Sequence, residues 1–300
     1  MTIPPILLII FNRPDKVRAL MNALEKVRPE RIYVSADGPR TGVPSDKALC
    51  AEARAVAQNV SWPCKVITNF SENNLGVHPA VEGAITWFFD QVESGIILED
   101  DCIPNSDFFR FSTELLEQYR DDPRVMMISG DNFQNGIKRG RANYYFSRYP
   151  NIWGWATWRR AWKHYDTSLS DLDVFEKSGK INTIRPHVDE QKHWLKFFRQ
   201  LKSGKQSPWD AKWVFAIWNN DGIVAVPNTN LVKNVGFGSE STNTKETNST
   251  LEIEASPINN FAIIRIEQQT DEDADRYIFE SIFKVTLASK LAYLWRRLMS

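Results

Sequence analysis

The sequence predicts an α/β protein with a mainly parallel central sheet flanked by helices. Apolar runs at residues 6–11, 31–36 and 64–69 have the length of buried strands, and they alternate with stretches of helical periodicity. Pro14 and Asp15, directly after the first run, are typical of the start of a helix. This β-α-β-α-β order is typical of a parallel sheet with right-handed crossovers.

A further apolar run, at residues 96–98, leads directly into the three carboxylates Glu99, Asp100 and Asp101. Each negative charge makes its neighbours harder to ionise, and a hard cation such as Mg²⁺ or Mn²⁺ relieves that cost. In open α/β sheets, ligands bind beyond the carboxyl ends of the strands, where we expect these acids. Taken alone, the three acids are equally compatible with a solvated turn.

Beyond about residue 130 the regular alternation of strands and helices is lost. The predicted elements there are a strand at 144–149, a loop at 151–155, a helix at 187–202, a helical segment from about 209 and a strand at 222–227. The loop is predicted to run into a helix that carries Trp158 and Trp162. Eleven tryptophans is a high number, and their faces either line a sugar-binding cleft or belong to the core.

Composition excludes several classes of protein. With 37 basic and 37 acidic residues the 300-residue chain has no net charge, which argues against a nucleic-acid partner. Its three cysteines are odd in number and lack metal-ligand spacing, so we expect reduced thiols and a cytoplasmic location. The apolar N-terminal run contains Pro4 and Pro5 and has no basic start, unlike a signal peptide. No apolar stretch reaches the ~20 residues that a membrane-spanning helix needs.

The C-terminal stretch has a different character. Three acids at 271–273 favour a helix start, and residues 277–299 are predicted to form one long helix. From residue 281 onward its charges are all basic: Lys284, Lys290, Arg296 and Arg297. Such a basic amphipathic helix is typical of peripheral membrane contact, here with the inner face of the plasma membrane. A docking helix or a dimer contact explains the pattern equally well.

Four sequence stretches together indicate a family. In order they are Ile9-Ile10-Phe11-Asn12-Arg13, Ser35-Ala36-Asp37-Gly38, Leu98-Glu99-Asp100-Asp101 with the segment 105–111, and Trp153-Gly154-Trp155 followed by Trp209-Asp210. Their order and spacing over residues 3 to about 240 resemble GT-A-fold nucleotide-sugar glycosyltransferases. Within that fold the chain is most similar to the N-acetylglucosaminyltransferase I type and to bacterial family 2-like glycosyltransferases.

The resemblance implies a Rossmann-like GT-A fold and a role for each matched position. Asp101 resembles the metal ligand of the family's acidic (DXD-type) motif, with Mn²⁺ or Mg²⁺ as the cofactor. Asp210 resembles the base of an inverting transfer. The positions implied to bind substrate are Phe11, Asn12, Arg13 and Asp37 for the nucleotide, Glu99 and Asp100 for the ribose, donor sugar or metal-bound water, and Trp153, Gly154 and Trp155 on the acceptor side.

The resemblance also implies partners and a division of the chain. A UDP-sugar is the expected donor, and a glycan or lipid-linked molecule in surface polysaccharide synthesis is the expected acceptor. Residues 1–130 are expected to form the nucleotide-sugar-binding half, and 131–250 the acceptor-side catalytic half of the same domain. Residues 251–300 are expected to form a C-terminal extension that ends in the basic helix.

Some residues depart from the family pattern or have an open role. Bacterial relatives often carry a metal-binding histidine after a Gly-Phe-Gly, where this chain has Asn243. Asp131 is a reserve candidate for the base, and Arg40 and His78 follow strands near the expected diphosphate. Asp210 is alternatively a helix N-cap.

Two other functions remain open at this level. A sugar nucleotidyltransferase usually has a Gly-rich basic loop after its first strand, unlike the Asn12-Arg13-Pro14 found here. A catalytically inactive, glycan-binding homologue would keep the fold but lose turnover.

Overall fold

The computed structural model describes residues 2–236 and 253–284 and confirms the α/β prediction. Its strands are β1 Ile6–Ile10, β2 Arg31–Ala36, β3 Lys65–Phe70, β4 Ser94–Glu99, β5 Cys102–Pro104, β6 Val125–Ser129, β7 Tyr144–Ser147, β8 Trp155–Trp158, β9 Ile223–Pro227 and β10 Val232–Asn234. Its helices are α1 Pro14–Glu25, α2 Pro44–Gln58, α3 Val77–Phe89, α4 Ser106–Gln118, α5 Arg159–Trp162, α6 Leu172–Lys177, α7 Lys180–Ile184, α8 Val188–Lys202, α9 Trp209–Asn219 and α10 Glu272–Ile278. A π-helical turn at Phe279–Phe283 follows α10.

The strands form an eight-stranded sheet and a separate two-stranded ribbon. The order in the large sheet is β3-β2-β1-β4-β8-β6-β9-β7, and β1 to β4 run parallel to one another. Ile9 of β1 lies opposite both Ser35 of β2 and Glu99 of β4, so the carboxyl ends of these strands meet at one edge. The ribbon pairs β5 with β10 just beyond that edge. The topology therefore brings the loops after β1, β2 and β4 together.

The prediction that residues 151–155 form a loop leading into a helix is wrong at its carboxyl end. Trp155–Trp158 is strand β8, which runs antiparallel between β4 and β6 in the middle of the sheet. All four of its residues are buried, because helices cover both faces of the sheet there. A strand buried on both faces has no alternation of polar and apolar residues to distinguish it from a helix.

Gly154 is required at the sharp turn that leads into β8. Its φ is +71°, and an added Cβ would lie 2.8 Å from a methyl carbon of Val232. We expect Gly154→Ala to lower the free energy of unfolding by about 1–3 kcal/mol, through backbone strain and overpacking. Urea denaturation measures this loss. The control is Gly83→Ala within α3, where an added Cβ meets nothing within 4 Å and a helical alanine should stabilise slightly.

Most of the tryptophans belong to the core. The side chains of Trp155, Trp194, Trp213 and Trp218 are at most 1% exposed, and Trp162 and Trp209 are also buried. Two apolar clusters lie on the two faces of the sheet, and all six tryptophans belong to the same one. A sugar-binding role therefore does not explain the high tryptophan content of these segments.

The C-terminal segment packs against the sheet instead of extending as one helix. Ile278 and Phe279 are 2% exposed, and the ring of Phe283 stacks on that of Tyr149 with 5.3 Å between centroids. The prediction of a continuous helix over 277–299 is wrong at Lys284, where the backbone is extended. Residues 285–300, which include most of the predicted basic helix, lie outside the described part of the chain. Within that part, no helix has the length and apolarity needed to cross a membrane.

Candidate functional site

A cavity of ≈ 580 Å³ opens at the carboxyl ends of β1, β2 and β4. Six of the residues predicted to bind substrate line it: Phe11, Asn12, Arg13, Asp37, Glu99 and Asp100. Arg40, which was expected near a diphosphate, lines it as well, and so does the loop before α3. The structure therefore brings together residues that are up to 89 positions apart in the sequence.

One arginine pairs with two of the acids at the end of this cavity. Arg13 precedes α1 and donates from one terminal nitrogen to Asp101 Oδ2, at 3.0 Å, and from the other to Asp100 Oδ1. The second oxygen of Asp100 accepts the backbone N–H of Phe11 at 3.3 Å. Asp100 therefore fastens the end of β4 to the loop after β1.

Three acidic side chains and one arginine meet at this end of the cavity, and the acids make one another harder to ionise. Burial, followed by the charges of Asp101 and Asp100, raises the pKa of Glu99 to about 8. Burial also raises the pKa of Asp100 to about 6, although the nearby guanidinium of Arg13 opposes that shift. Each raised pKa means that ionisation is costly here, so an additional positive charge would be stabilised.

The donor set fits a divalent cation that is shared with a ligand. Within residues 2–236 and 253–284, no three His, Cys, Asp or Glu side chains are arranged to hold an ion by themselves. Hard cations accept carboxylate and phosphate oxygens together, and Mg²⁺ is usually held by one or two carboxylates plus substrate phosphates. The carboxylate oxygens of Asp100 and of the partly exposed Asp101 suit such an ion.

Asp37 organises the rim of the cavity. Its Oδ1 accepts the backbone N–H groups of Gly38 and Leu75, both at 2.8 Å. Its Oδ2 accepts from Gly76 N and Asn74 Nδ2, at 3.1 and 2.9 Å. Asp37 therefore holds the loop before α3 against the end of β2, and direct contact with a nucleotide base stays a prediction.

Asp46 is a site residue that the sequence reasoning missed. It lies in the first turn of α2, is 1% exposed, and accepts hydrogen bonds from Asn12 Nδ2 at 2.8 Å and from three nitrogens of Arg40. The Arg40 guanidinium in turn lies 5.5 Å from the centroid of the Phe11 ring. Asp46 thus fixes two polar side chains of the cavity wall. In the sequence it reads as an ordinary acid at a helix start.

We expect Asp46→Asn to lower the free energy of unfolding at pH 7 by about 1–2 kcal/mol, since Arg40 is half exposed and its ion pair is partly screened. The side-chain hydrogen bond from Arg40 lowers the pKa of Asp46 from 3.8 to about 2. An acid whose pKa is lowered in the folded state stabilises the fold at pH values above its unfolded-state pKa. This stabilisation is lost as the pH falls toward 2. The difference in the free energy of unfolding between variant and wild type should therefore become smaller between pH 4 and pH 2. Urea titrations at each pH measure it. A constant difference would contradict this assignment.

Asp210, the predicted base, lies in the first turn of α9. The helix N-cap is Pro208, so the alternative interpretation of Asp210 as the N-cap is wrong. Burial raises the pKa of Asp210, and hydrogen bonds from the backbone at Ala211 oppose the shift. The charge of Asp210 is the smallest of the named contributions to the raised pKa of Glu99, after burial and the charges of Asp101, Asp100 and Arg13. His78, at the start of α3, lies close enough for its charge to act on Asp210.

The other acceptor-side residues lie outside the lining of the cavity. Trp155 is in the core and stacks on Trp209 with 6.0 Å between centroids, so its side chain is out of reach of a ligand. Gly154 makes the turn into β8 and accepts a hydrogen bond from Gly130 N at 2.8 Å. Trp153 is partly exposed and donates its backbone N–H to Asp131 Oδ2 at 3.3 Å.

Asp131, the reserve base, is fully enclosed. It is 1% exposed, and Oδ1 has no hydrogen-bond partner among the described residues. Burial raises its pKa well above the usual value. Because the side chain is 1% exposed, an acceptor hydroxyl has less access to Asp131 than to the partly exposed Asp210.

The ribbon of β5 and β10 brings a second chain segment onto Asp101. Val235 N donates to the backbone oxygen of Asp101 at 2.8 Å, and Lys16 of α1 donates to Val235 O. An added Cβ on Gly236 would lie 2.2 Å from Asp101 Oδ2, so only glycine allows this approach. Asn243, the predicted departure from the family, lies outside the described residues.

Comparisons with known proteins identify no family. No protein-family model matches the chain, and no curated protein matches it. The neighbours among solved structures include HddC from Yersinia pseudotuberculosis complexed with GMP-PN, at 13% identity and a TM-score of 0.34, covering 52% of this chain and 77% of that one. The 4-diphosphocytidyl-2C-methyl-D-erythritol synthase from Anaerococcus prevotii has 9% identity and a TM-score of 0.33, with coverages of 58% and 84%. UDP-glucose pyrophosphorylase complexed with UDP-glucose has 9% identity and a TM-score of 0.37, with coverages of 75% and 90%.

Two of these neighbours are named as enzymes, a synthase and a pyrophosphorylase, and the third is named as a complex with GMP-PN. Identities of 9–13% and TM-scores of 0.33–0.37 carry no argument about activity, however. The function therefore has to be argued from the residues of the site.

Proposed function

We propose that this protein is a metal-assisted, inverting glycosyltransferase that moves a sugar from a nucleotide-diphosphate sugar to a hydroxyl group. A UDP-sugar is the expected donor, and a glycan or lipid-linked molecule is the expected acceptor. The cavity at the carboxyl ends of the strands is large enough for a nucleotide sugar and carries acids at one end and polar groups at the other. The proposal assigns residues 1–130 to the donor and 131–250 to the acceptor.

The donor end of the site would bind the nucleoside and would hold a metal ion with the diphosphate. Phe11, Asn12 and Asp37, with Arg40 held by Asp46, would surround the nucleoside at the wall of the cavity. Asp101 would hold Mn²⁺ or Mg²⁺ together with the phosphate oxygens. The bound ion would supply the positive charge that stabilises the departing diphosphate. Glu99 and Asp100 are then placed to accept hydrogen bonds from sugar hydroxyls.

The transfer itself requires one proton acceptor. The acceptor oxygen attacks the anomeric carbon while the bond from that carbon to the phosphate oxygen breaks, and its electron pair leaves with the nucleoside diphosphate. The proton of the attacking hydroxyl passes to the Asp210 carboxylate. Attack from the face opposite the leaving group inverts the anomeric configuration. Tyr165, which bonds to Glu82 and to the backbone oxygen of Trp209, helps to fix the start of α9.

The proposal depends mainly on one residue, Asp210. A hydroxyl nucleophile has to lose a proton, so a partly buried carboxylate with a raised pKa, in the first turn of α9, suits glycosyl transfer. A sugar nucleotidyltransferase needs no such base, because its sugar-phosphate nucleophile is already ionised. The second candidate corresponds to the name of one structural neighbour, UDP-glucose pyrophosphorylase, so the experiment must separate the two functions.

A thermal-shift panel tests the donor site. We expect UDP-sugars or other nucleotide-diphosphate sugars to raise the melting temperature when Mn²⁺ is present, because a ligand of the native state stabilises it by mass action. Asp101→Asn should abolish the part of the shift that depends on Mn²⁺. The control variant is Asp90→Asn, which removes the same charge from an exposed position at the end of α3.

Two outcomes would contradict the proposal. One is a panel in which no nucleotide diphosphate or nucleotide sugar shifts the melting temperature. The other is a protein that is stabilised only by nucleoside triphosphates and releases pyrophosphate from a triphosphate and a sugar phosphate, which would establish the nucleotidyltransferase.

The proposal also places the protein at the inner face of the plasma membrane, where a lipid-linked acceptor would be found. The basic residues that support this contact begin at Lys284, and the other three lie in the segment 285–300. Deletion of residues 285–300 should release the protein from vesicles that contain anionic lipid in a flotation assay. Full-length protein that never floats with such vesicles would remove the membrane contact from the proposal.

A further inference from the structure

Arg13 occupies the position in the site where a cation is expected to act. Its guanidinium bridges the carboxylates of Asp100 and Asp101, one of which is the candidate metal ligand. The Arg13 side chain is 23% exposed, so solvent and ligands reach it from the cavity. The side chain of Asp100 is 2% exposed and that of Asp101 is 16% exposed, so the acids are the more enclosed partners.

The two carboxylates need a positive charge whether or not a metal ion is bound. They are adjacent in the chain, Asp100 is buried and Asp101 is partly buried, and their mutual repulsion falls when a cation lies between them. Arg13 supplies that cation in this structure. A divalent ion at Asp101 would supply it more strongly, and it would also repel a guanidinium at the same carboxylate.

A guanidinium released from the acids has a suitable new partner nearby. Arg13 precedes α1 and lines the cavity, so its side chain remains within the donor site after it leaves Asp101. Guanidinium groups bind phosphate oxygens through parallel N–H donors, and the diphosphate would lie beside the ion. Lys16, in the first turn of α1, already bonds to Val235 O and does not compete for the two acids.

We propose that Arg13 is an exchangeable counter-ion, which pairs with Asp100 and Asp101 before the ion arrives and transfers to the donor diphosphate when the ion binds. The exchange makes the ion and the diphosphate each favour the binding of the other, because the ion releases the arginine that the diphosphate needs. It also makes Arg13 a specificity-determining residue for ligands that carry a diphosphate. This inference rests on the proposed function, and the test below separates the two.

The first test measures Mn²⁺ affinity without nucleotide, from the electron paramagnetic resonance signal of free Mn²⁺. Arg13→Gln should bind Mn²⁺ about tenfold more tightly than wild type, because the ion no longer displaces a charged partner. Arg13→Lys, which keeps the charge but cannot bridge two carboxylates in the same way, should lie between them. Arg18→Gln is the matched control: it removes the same charge from an exposed position of α1 and should leave the affinity within about twofold.

The second test is a double-mutant cycle on UDP affinity in EDTA, where no divalent ion is present. Asp101→Asn should tighten UDP binding in the wild-type background, since it frees Arg13 for the diphosphate. In the Arg13→Gln background the same change should have a much smaller effect. The difference between the two effects isolates the coupling of Arg13 to Asp101 from the general loss of a negative charge.

The outcomes separate this inference from the proposed function. If wild type binds no nucleoside diphosphate in the presence of Mn²⁺, the proposed function fails. If it does bind one, but Arg13→Gln and Arg18→Gln share the Mn²⁺ affinity of wild type, only the exchange is wrong. Equal effects of Asp101→Asn in both backgrounds would also overturn it.

Discussion

Replacement of Asp210 by asparagine should lower the rate of sugar transfer about 10³-fold, the middle of the range for loss of a general base. Asparagine has nearly the same size and keeps the packing at the start of α9, but its amide cannot accept the proton. Donor affinity should stay within about twofold, because Asp210 does not line the cavity that holds the nucleotide. Steady-state transfer rates together with donor affinities from calorimetry check both parts.

The pH dependence of the transfer rate is an independent test of the role of Asp210. Burial raises the pKa of Asp210, so the wild-type rate should increase with pH as the carboxyl loses its proton. In Asp210→Asn this increase of the rate with pH, the rising limb of the pH–rate profile, should be absent. Asp221→Asn, which removes an exposed charge just beyond the end of the same helix, should keep both the rate and the limb. An Asp210→Asn variant with normal transfer would assign the base elsewhere.

Replacement of Asp275 by alanine should lower the free energy of unfolding by about 3–5 kcal/mol, the cost of breaking a buried ion pair from one side. Asp275 is 1% exposed and accepts from Arg185 at 2.6 Å, from Ser147 Oγ at 2.5 Å and from the backbone of Arg148. Arg185 is 3% exposed and would keep only Glu190, at 3.6 Å, as an acidic partner. Urea denaturation with an unchanged slope measures the loss.

The Asp275 experiment also tests how the C-terminal segment belongs to the fold. Asp275 is on α10, and its partners are on β7 and next to α7, so the pair fastens the C-terminal segment to the domain. Asp173→Ala removes an exposed partner of Lys202 and should leave the unfolding curve unchanged. Equal curves for Asp275→Ala and Asp173→Ala would mean that the ion pair between Asp275 and Arg185 does not stabilise the attachment of this segment.

The sequence was sufficient for the parts of the fold that local pattern determines. The apolar runs located β1 to β4 within about two residues, and Pro14 and Asp15 located the start of α1, because each element carries its own periodicity and boundaries. The position of Glu99, Asp100 and Asp101 at a strand end followed from the same pattern. Parallel topology then placed them beside Phe11, Asn12 and Arg13.

Features that depend on distant contacts could not be predicted in this way. Strand β8 depends on its pairing with β4 and β6, which are distant in the sequence. Trp155–Trp158 carries no alternation that would indicate a strand. The partners of Asp46 and Arg13 are up to 88 residues away, and neither residue type nor spacing indicates the pairings. The same holds for Trp155, whose burial depends on its packing against Trp209 and Trp213 from α9.

The most direct test of the central claim follows the phosphorus products by ³¹P nuclear magnetic resonance. The protein is incubated with Mg²⁺ and a nucleotide-diphosphate sugar selected by the thermal-shift panel, where water takes the sugar in place of the acceptor hydroxyl. A separate tube holds the protein with Mg²⁺, the corresponding nucleoside triphosphate and sugar 1-phosphate. The account predicts release of nucleoside diphosphate in the first tube, lost in Asp101→Asn, and no pyrophosphate in the second. Pyrophosphate in the second tube, with no nucleoside diphosphate in the first, would contradict it.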